Sequence, residues 1–223
     1  GTFRYELGNT SLKPELSLQG DAALNFHTAM ISADVSVFYN YIDNFIYYRN
    51  FNNQSIYVEG EQFPVYRYIQ GASNLRGLEF KFDIHPFDAL HWENSISYVE
   101  GRNEIINEPL PFIPPLHIRN EITWTIPVKK NFRETYLTIG LDNYFKQDKI
   151  DQFETNTNGY NLLFAGMGTE VKLFKLDAAI YIIGENLLNE KYASHLSRLK
   201  DIGVFNQGRN ITIGINIKFK NSI

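Results

Sequence analysis

Cysteine does not occur among the 223 residues. Its absence excludes a disulfide framework, a thiolate metal site and a cysteine nucleophile. No run approaches the ~20 continuous apolar residues that a membrane-spanning helix requires. The formal charge of −4 leaves no basic footprint for nucleic acid, which is not expected as a partner. Catalytic signatures are missing too: there is no Gly-x-Ser-x-Gly, no His-Glu-x-x-His and no phosphate loop. His27, His85, His91, His117 and His195 are scattered, with no pair at ligand spacing, so no metal site is predicted. His91 and His117 read as lumen or turn residues. The acidic residues recur only as alternation demands, which gives paired acid–base roles no special support. An enzyme is therefore not expected, and neither is a cofactor.

What the chain does contain is a period of two, repeated over most of its length. Across 31–41 the apolar positions are Ile31, Ala33, Val35, Val37, Tyr39 and Tyr41, with Ser32, Asp34, Ser36 and Asn40 between them. Leu78, Phe80, Phe82 and Ile84 alternate with Glu79, Lys81 and Asp83. The split recurs in 90–98 and 118–126, and it is cleanest at the end, where Ile211, Ile213, Ile215, Ile217 and Phe219 oppose Thr212, Gly214, Asn216 and Lys218. Weaker versions occupy 16–26, 136–145, 163–173 and 176–185. The pattern predicts an all-β fold of about nine strands, several near the ~9–11 residues of a tilted membrane strand, with no need of helical spacing.

The predicted connections alternate in length. Short ones fall at 28–30, 86–89, 127–132 and Lys175; long ones fall at 50–66, 101–116, 147–159 and 187–207. Short periplasmic turns opposite long external loops characterise bacterial outer-membrane barrels. Period two alone leaves a soluble two-sheet sandwich open, because a half-buried soluble sheet alternates as well. Two features favour the membrane. Tyr39, Tyr41, Trp92, Tyr98, Phe145 and Phe219 gather toward strand ends on the apolar face, as headgroup-level belts do. The opposite face carries Asp34, Glu79, Lys81, Asp83, Glu93, Arg119, Glu121, Asp142, Glu170 and Lys172, which suits a water-filled or plugged lumen.

Several segments resemble the C-terminal half of TonB-dependent outer-membrane receptors. Asn9-Thr10-Ser11-Leu12-Lys13-Pro14-Glu15 is similar to that family's Asn-Pro-x-Leu-Lys-Pro-Glu motif, with Thr10 in place of the first proline. The run 38–46 resembles the following up-strand, and 72–79, with Gly77 and Glu79, resembles the family's Ala-x-x-x-Gly-x-Glu strand. The Leu110-Pro111-Phe112-Ile113-Pro114-Pro115 loop is similar as well. Glu185-Asn186-Leu187-Leu188-Asn189-Glu190-Lys191-Tyr192 resembles the Glu-Asn-Leu signature, and Gly208-Arg209-Asn210 opens the last strand. The end departs from the pattern, since Lys220–Ile223 follow Phe219 where the family often stops at an aromatic residue.

The resemblance, which covers nearly the whole chain, implies a segment of a twenty-two-strand barrel around a plug. It makes residues 1–223 the C-terminal portion, with the plug and the earlier strands lying in a longer protein. It also implies outer-membrane import of a scarce nutrient, an iron chelate (siderophore) or another metal complex, with the lipid bilayer and, through the plug, the TonB energy-coupling complex as partners. A passive or adhesive outer-membrane barrel, or a soluble carbohydrate-binding β-sandwich, are the alternatives. Within this frame the polar 187–207 segment is expected to be external, with His195, Arg198 and Lys200 as ligand-binding candidates toward an anionic chelate. Tyr47, Tyr48, Tyr57, Tyr66 and Tyr68 flank the 50–66 segment; Tyr57 and Tyr66 are candidates for stacking on a flat ligand, or belong to the aromatic girdle. Glu185, Asn186 and Arg209 read as structural.

Overall fold

A computed structural model describes residues 4–51, 53–128, 132–173 and 176–218. Its strands are β1 (Tyr5–Leu7), β2 (Leu16–His27), β3 (Ile31–Arg49), β4 (Ser55–Val58), β5 (Glu61–Phe87), β6 (Leu90–Asn103), β7 (Glu108–Pro109), β8 (His117–Ile126), β9 (Phe132–Tyr144), β10 (Tyr160–Leu173), β11 (Leu176–Glu185) and β12 (Asn210–Lys218). They form one sheet in the order β12-β11-β10-β9-β8-β6-β5-β3-β2, with β1 and β4 on β5 and β7 on β6. The nine strands of that path are the nine predicted, although β3 and β5 run to 19 and 27 residues, past any membrane crossing. Part of the segment predicted as the 50–66 loop is therefore strand: β4 and β5 meet in a hairpin whose turn places Glu59 (φ 52) and Gly60 (φ 89) in the left-handed region. A turn with both central residues at positive φ matches the right-handed twist of the paired strands. The predicted turn at Lys175, part of the connection at 127–132, and Phe219 with the residues after it lie outside the described residues. Among the described residues the only helical element is one 3-10 turn, Lys200–Ile202.

Contacts divide the chain into two units. The first holds 1–21, 38–76 and 100–110. In it β1 lies parallel to β5, pairing Tyr5 with Val65 and Leu7 with Arg67. The Asn9–Glu15 motif is strapped to β3 and β5 by side chains. Asn9 Nδ2 donates to the Tyr68 carbonyl, and Gln70 accepts from the Lys13 N–H and donates to the Lys13 carbonyl. Glu15 Oε1 accepts the Ile46 N–H. The motif is thus a clamp, its polar residues hydrogen-bonding to backbone groups of β3 and β5. Tyr47, Val65, Tyr66 and Leu110 are buried here, beside Asn103, whose Oδ1 accepts the Ile105 and Ile106 N–H groups.

The second unit holds 22–37, 77–99 and 111–223. Its strands β6, β8, β9, β10, β11 and β12 pair antiparallel in sequence order. The register puts Trp92, Ile122, Ile139, Ala165, Gly184 and Ile211 in one row, and Leu90, Trp124, Leu137, Met167, Ile182 and Ile213 in the next. Trp92, Ile122, Ile139, Trp124, Met167, Ile211 and Ile213 of these rows are exposed, Ile213 at 72%. Rows of exposed large apolar side chains have no place in water, whereas lipid is their ordinary neighbour.

The opposite face alternates bulk with its absence. Tyr136 covers Gly168, Phe164 covers Gly140 and Tyr181 covers Gly214; a Cβ on each glycine would meet the ring above it. On Gly140 it would also lie 2.7 Å from the Asn120 backbone oxygen, which cannot swing away as a side chain can. Gly140→Ala is therefore expected to destabilise the folded protein by roughly 1–3 kcal/mol, measured by reversible unfolding in detergent or lipid. An unchanged midpoint would show that the sheet yields there. Ile213→Arg is expected to cost about 2–4 kcal/mol near the bilayer midplane, and Thr212→Arg on the polar face much less. Equal costs at the two positions would contradict the assignment of faces.

Candidate functional site

In the second unit the connections 111–116, 145–159 and 186–209 are joined by side chains into one network. Gln147 Nε2 donates to the Ile113 carbonyl at 2.9 Å, and the Gln147 and Thr157 backbones form an isolated antiparallel bridge. Thr157 Oγ1 lies 2.8 Å from His195 Nδ1. Lys200 Nζ donates to the Thr155 carbonyl at 2.7 Å and to Thr157 Oγ1 at 3.1 Å, while Thr155 Oγ1 donates to Asp201 Oδ1 at 2.8 Å.

Glu154 closes the network. Its Oε1 accepts the Phe112 N–H at 2.9 Å and its Oε2 accepts the Asp151 N–H at 3.1 Å. His195 Nε2 stands 3.5 Å from Oε1, an ion-pair approach rather than a formed hydrogen bond. Burial pushes the Glu154 carboxyl up, but the His195 contact and the two backbone N–H groups outweigh it and hold the carboxyl below its ordinary value.

The 186–209 segment is shaped by asparagines. Asn186 (φ 46) and Asn189 (φ 55) adopt the left-handed conformation that a short amide side chain tolerates. Asn186 Oδ1 accepts the Glu190 N–H, and its Nδ2 donates to the carbonyls of Glu190 and Gln207. Asn189 Oδ1 accepts the Arg209 N–H, and Arg209 Nε donates to the Leu187 carbonyl. The Glu-Asn-Leu signature and Arg209 are thus parts of a loop closure, as the sequence reading of Asn186 and Arg209 expects.

The predicted site residues take different places. His195 is 3% exposed, enclosed by Thr157 and Glu154. Lys200 is half-buried with its ammonium engaged, whereas Arg198 is exposed and makes no hydrogen bond or ion pair among the described residues. The segment also exposes Leu196, Leu199, Ile202, Val204 and Phe205, so it is less cationic at its surface than its composition suggests. In the first unit Tyr57 is 72% exposed on β4, while Tyr66 is buried. Tyr66 packs edge-on to Tyr48 at 5.4 Å, with the Arg4 guanidinium 4.1 Å over the Tyr48 ring, and Tyr68 donates to Glu6 at 2.7 Å.

Sequence reasoning missed Glu154 and an aromatic row on the polar face of the second unit. His117, Tyr144 and Tyr160 are register partners, stacked at 4.2 and 4.7 Å, and Tyr192 continues the row at 4.4 Å. Beneath it Asp142 accepts from Arg119 at 2.9 Å and lies 2.8 Å from His117 Nε2, while Arg119 also pairs with Glu121. The only signal for the row is that His117, Tyr144 and Tyr160 each stand at one end of a strand on the polar side, which emerges once the registers are aligned; Tyr192 lies in the 186–209 connection.

The Glu154 tether has a definite pH dependence. A carboxyl held lower in the folded protein contributes stability above its unfolded value, about 4.3, and loses it as pH falls through the lower folded value. Amide-exchange protection at Phe112 and Asp151 is expected to be high at neutral pH and to fall in acid below that range. Glu154→Gln should remove the dependence; protection that ignores pH in the unsubstituted protein would refute the tether.

A family model described as TonB dependent receptor-like, beta-barrel, matches residues 1–184. Among solved structures, the copper transporter OprC superposes with a TM-score of 0.76 at 16% identity, covering 92% of this chain and 32% of that one. A mutant (G324V) of the ferric enterobactin receptor PfeA from Pseudomonas aeruginosa gives 0.64 at 16%, covering 96% and 34%. BauA, the ferric preacinetobactin receptor from Acinetobacter baumannii, gives 0.66 at 15%, covering 91% and 29%. At such identities the likeness is one of fold, and the chain spans about a third of each of these proteins. The family match over 1–184, the alternating faces and the alternating connections agree: this chain belongs to the TonB-dependent receptor β-barrels of the bacterial outer membrane.

Proposed function

We propose that residues 1–223 form the C-terminal portion of the wall, with external recognition loops, of a TonB-dependent transporter that imports an iron chelate or another metal complex. The family match and the likeness in fold to a copper transporter, a ferric enterobactin receptor and a ferric preacinetobactin receptor support this reading. The plug and the earlier strands belong in this reading to the rest of the protein, and TonB acts through the plug. The strand order ends at β2 and β12, whose outer edges require partners in lipid. Nothing in the family or the fold calls for catalysis, and the reading includes none.

The observation that carries recognition is the rigid network of long connections on which Arg198 stands exposed and unpaired. Arg198 is the direct contact for an anionic chelate. Lys200 and His195 contribute by fixing the segment that presents it, since their polar atoms already serve Thr155, Thr157 and Glu154. In the first unit Tyr57 offers a ring for stacking, and Tyr66 holds the neighbouring aromatic cluster in place.

Arg198→Gln is the clean test, because it removes a charge without disturbing the network. In the assembled full-length protein it should weaken binding of an anionic ferric chelate by up to about 1 kcal/mol, roughly fivefold, the scale of an exposed ion pair. The loss should be largest at low ionic strength, where screening is least. Lys200→Gln should in addition raise exchange at the Thr155–Thr157 backbone. Unchanged chelate affinity in a correctly assembled Arg198→Gln protein would remove Arg198 from recognition and leave the segment a structural lid.

A further inference from the structure

His85 and His91, separate in the sequence, come together across the tight connection between β5 and β6. Their Nδ1 atoms lie 3.0 Å apart, with the rings nearly perpendicular at a centroid distance of 4.5 Å. Asp83 Oδ2 is 3.1 Å from the other nitrogen of His85, Nε2. One ligand-type atom from each of the three residues lies within 4.8 Å of the others. All three are half-buried and belong to the second unit. Alternation puts Asp83 and His85 on the polar side of β5, and the register of His91 with Thr123 puts it on the polar side of β6.

We propose that Asp83, His85 and His91 form a binding site for a late first-row divalent cation such as Zn²⁺ or Cu²⁺, with the two imidazole Nδ1 atoms as direct ligands. The Asp83 contact fixes the tautomer: Nε2–H of His85 donates to the carboxylate, which leaves the lone pair on Nδ1, aimed at Nδ1 of His91. Two nitrogens each ~2.0–2.1 Å from a cation stand about 3 Å apart when they subtend an angle near 90°. The observed separation is therefore that of neighbouring ligands on one ion.

Nitrogen donors select against Ca²⁺ and Mg²⁺, which take oxygen, and favour the zinc–copper end of the series. The backbone around the site is pinned: the His85 N–H donates to the Met30 carbonyl at 2.8 Å, and Thr125 N–H to the Ala89 carbonyl at 2.7 Å. Asp83 supplies the charge as well as the orientation, and its Oδ1 is buried without a hydrogen-bond partner among the described residues. A cavity of about 310 Å³ opens beside Asp83, lined also by Asp34, Glu93 and Glu121 against Lys81 and Arg119. Carboxylates outnumber cationic side chains among these, which favours a cation beside Asp83.

The test uses the intact protein in detergent, any affinity tag removed. Calorimetric titration with ZnCl₂ should reveal one bound equivalent that is lost in His85→Gln and in His91→Gln. Asp83→Asn should keep the equivalent and weaken it roughly 10- to 100-fold, as loss of an orienting partner does. Paramagnetic resonance of the unsubstituted protein with one equivalent of Cu²⁺ reads the ligands without relying on any variant folding. A two-nitrogen signal supports the site. An oxygen-only signal, or zinc binding unchanged in a folded His85→Gln, His91→Gln double variant, would overturn it and leave the pair a hydrogen bond between rings.

Discussion

In a bilayer no water is available to an unpaired backbone N–H or C=O, and each must find its partner in the protein. A sheet whose strands follow one another in order satisfies that demand with short reversals, and the pleat then sends successive side chains to opposite faces. The consequences are visible residue by residue in the second unit, where the rows through Trp92 and Leu90 stay apolar across six strands, the row between them begins His91-Thr123-Thr138, and the next rows of that polar face carry Glu93 with Glu121 and Arg119 with Asp142. One slip of register would exchange the two sets, so lipid on one side and charge on the other hold the pairing in place.

The polar face follows a second rule. Backbone pairing keeps neighbouring strands close, so large rings need space above a neighbour that has no side chain. Tyr136, Phe164 and Tyr181 find it over Gly168, Gly140 and Gly214. Phe164 also receives the Arg119 guanidinium at 4.0 Å, and Arg119 in turn is paired with Asp142 and Glu121. A stacked ring, a cation and two carboxylates thus order one another. Such a network is costly to break at one member, because the others are left partly desolvated without partners.

The connections obey a different logic, since outside the membrane water can satisfy the backbone. Order there comes from side chains that imitate secondary structure: Asn186 and Asn189 close the 186–209 segment, Asn103 caps its own turn, and Glu154 gathers two N–H groups from two connections. A scaffold of this kind holds the exposed Arg198 without consuming its charge.

The nine long strands, the two faces, the alternation of short and long connections and the family were all legible in the sequence, because the pleat period and turn length are local properties of the chain. The lengths of β3 and β5 were less so, since pairing carries them beyond the alternating core into Tyr47, Tyr66 and Tyr68. Tertiary structure alone decided which candidate side chains remain free. His195 and Lys200 read as a cationic surface in a polar segment, yet both turn toward Thr157, whose position depends on a bridge to Gln147 in another part of the same connection. Tyr66 is enclosed by Tyr48, whose ring Arg4 covers, residues far away in sequence. His85 and His91 have no ligand spacing along the chain, and only the reversal between β5 and β6 sets their nitrogens 3.0 Å apart. Spacing along a strand reports which face a side chain takes; what it meets on that face is set by the register of the neighbouring strand, and no local pattern encodes that.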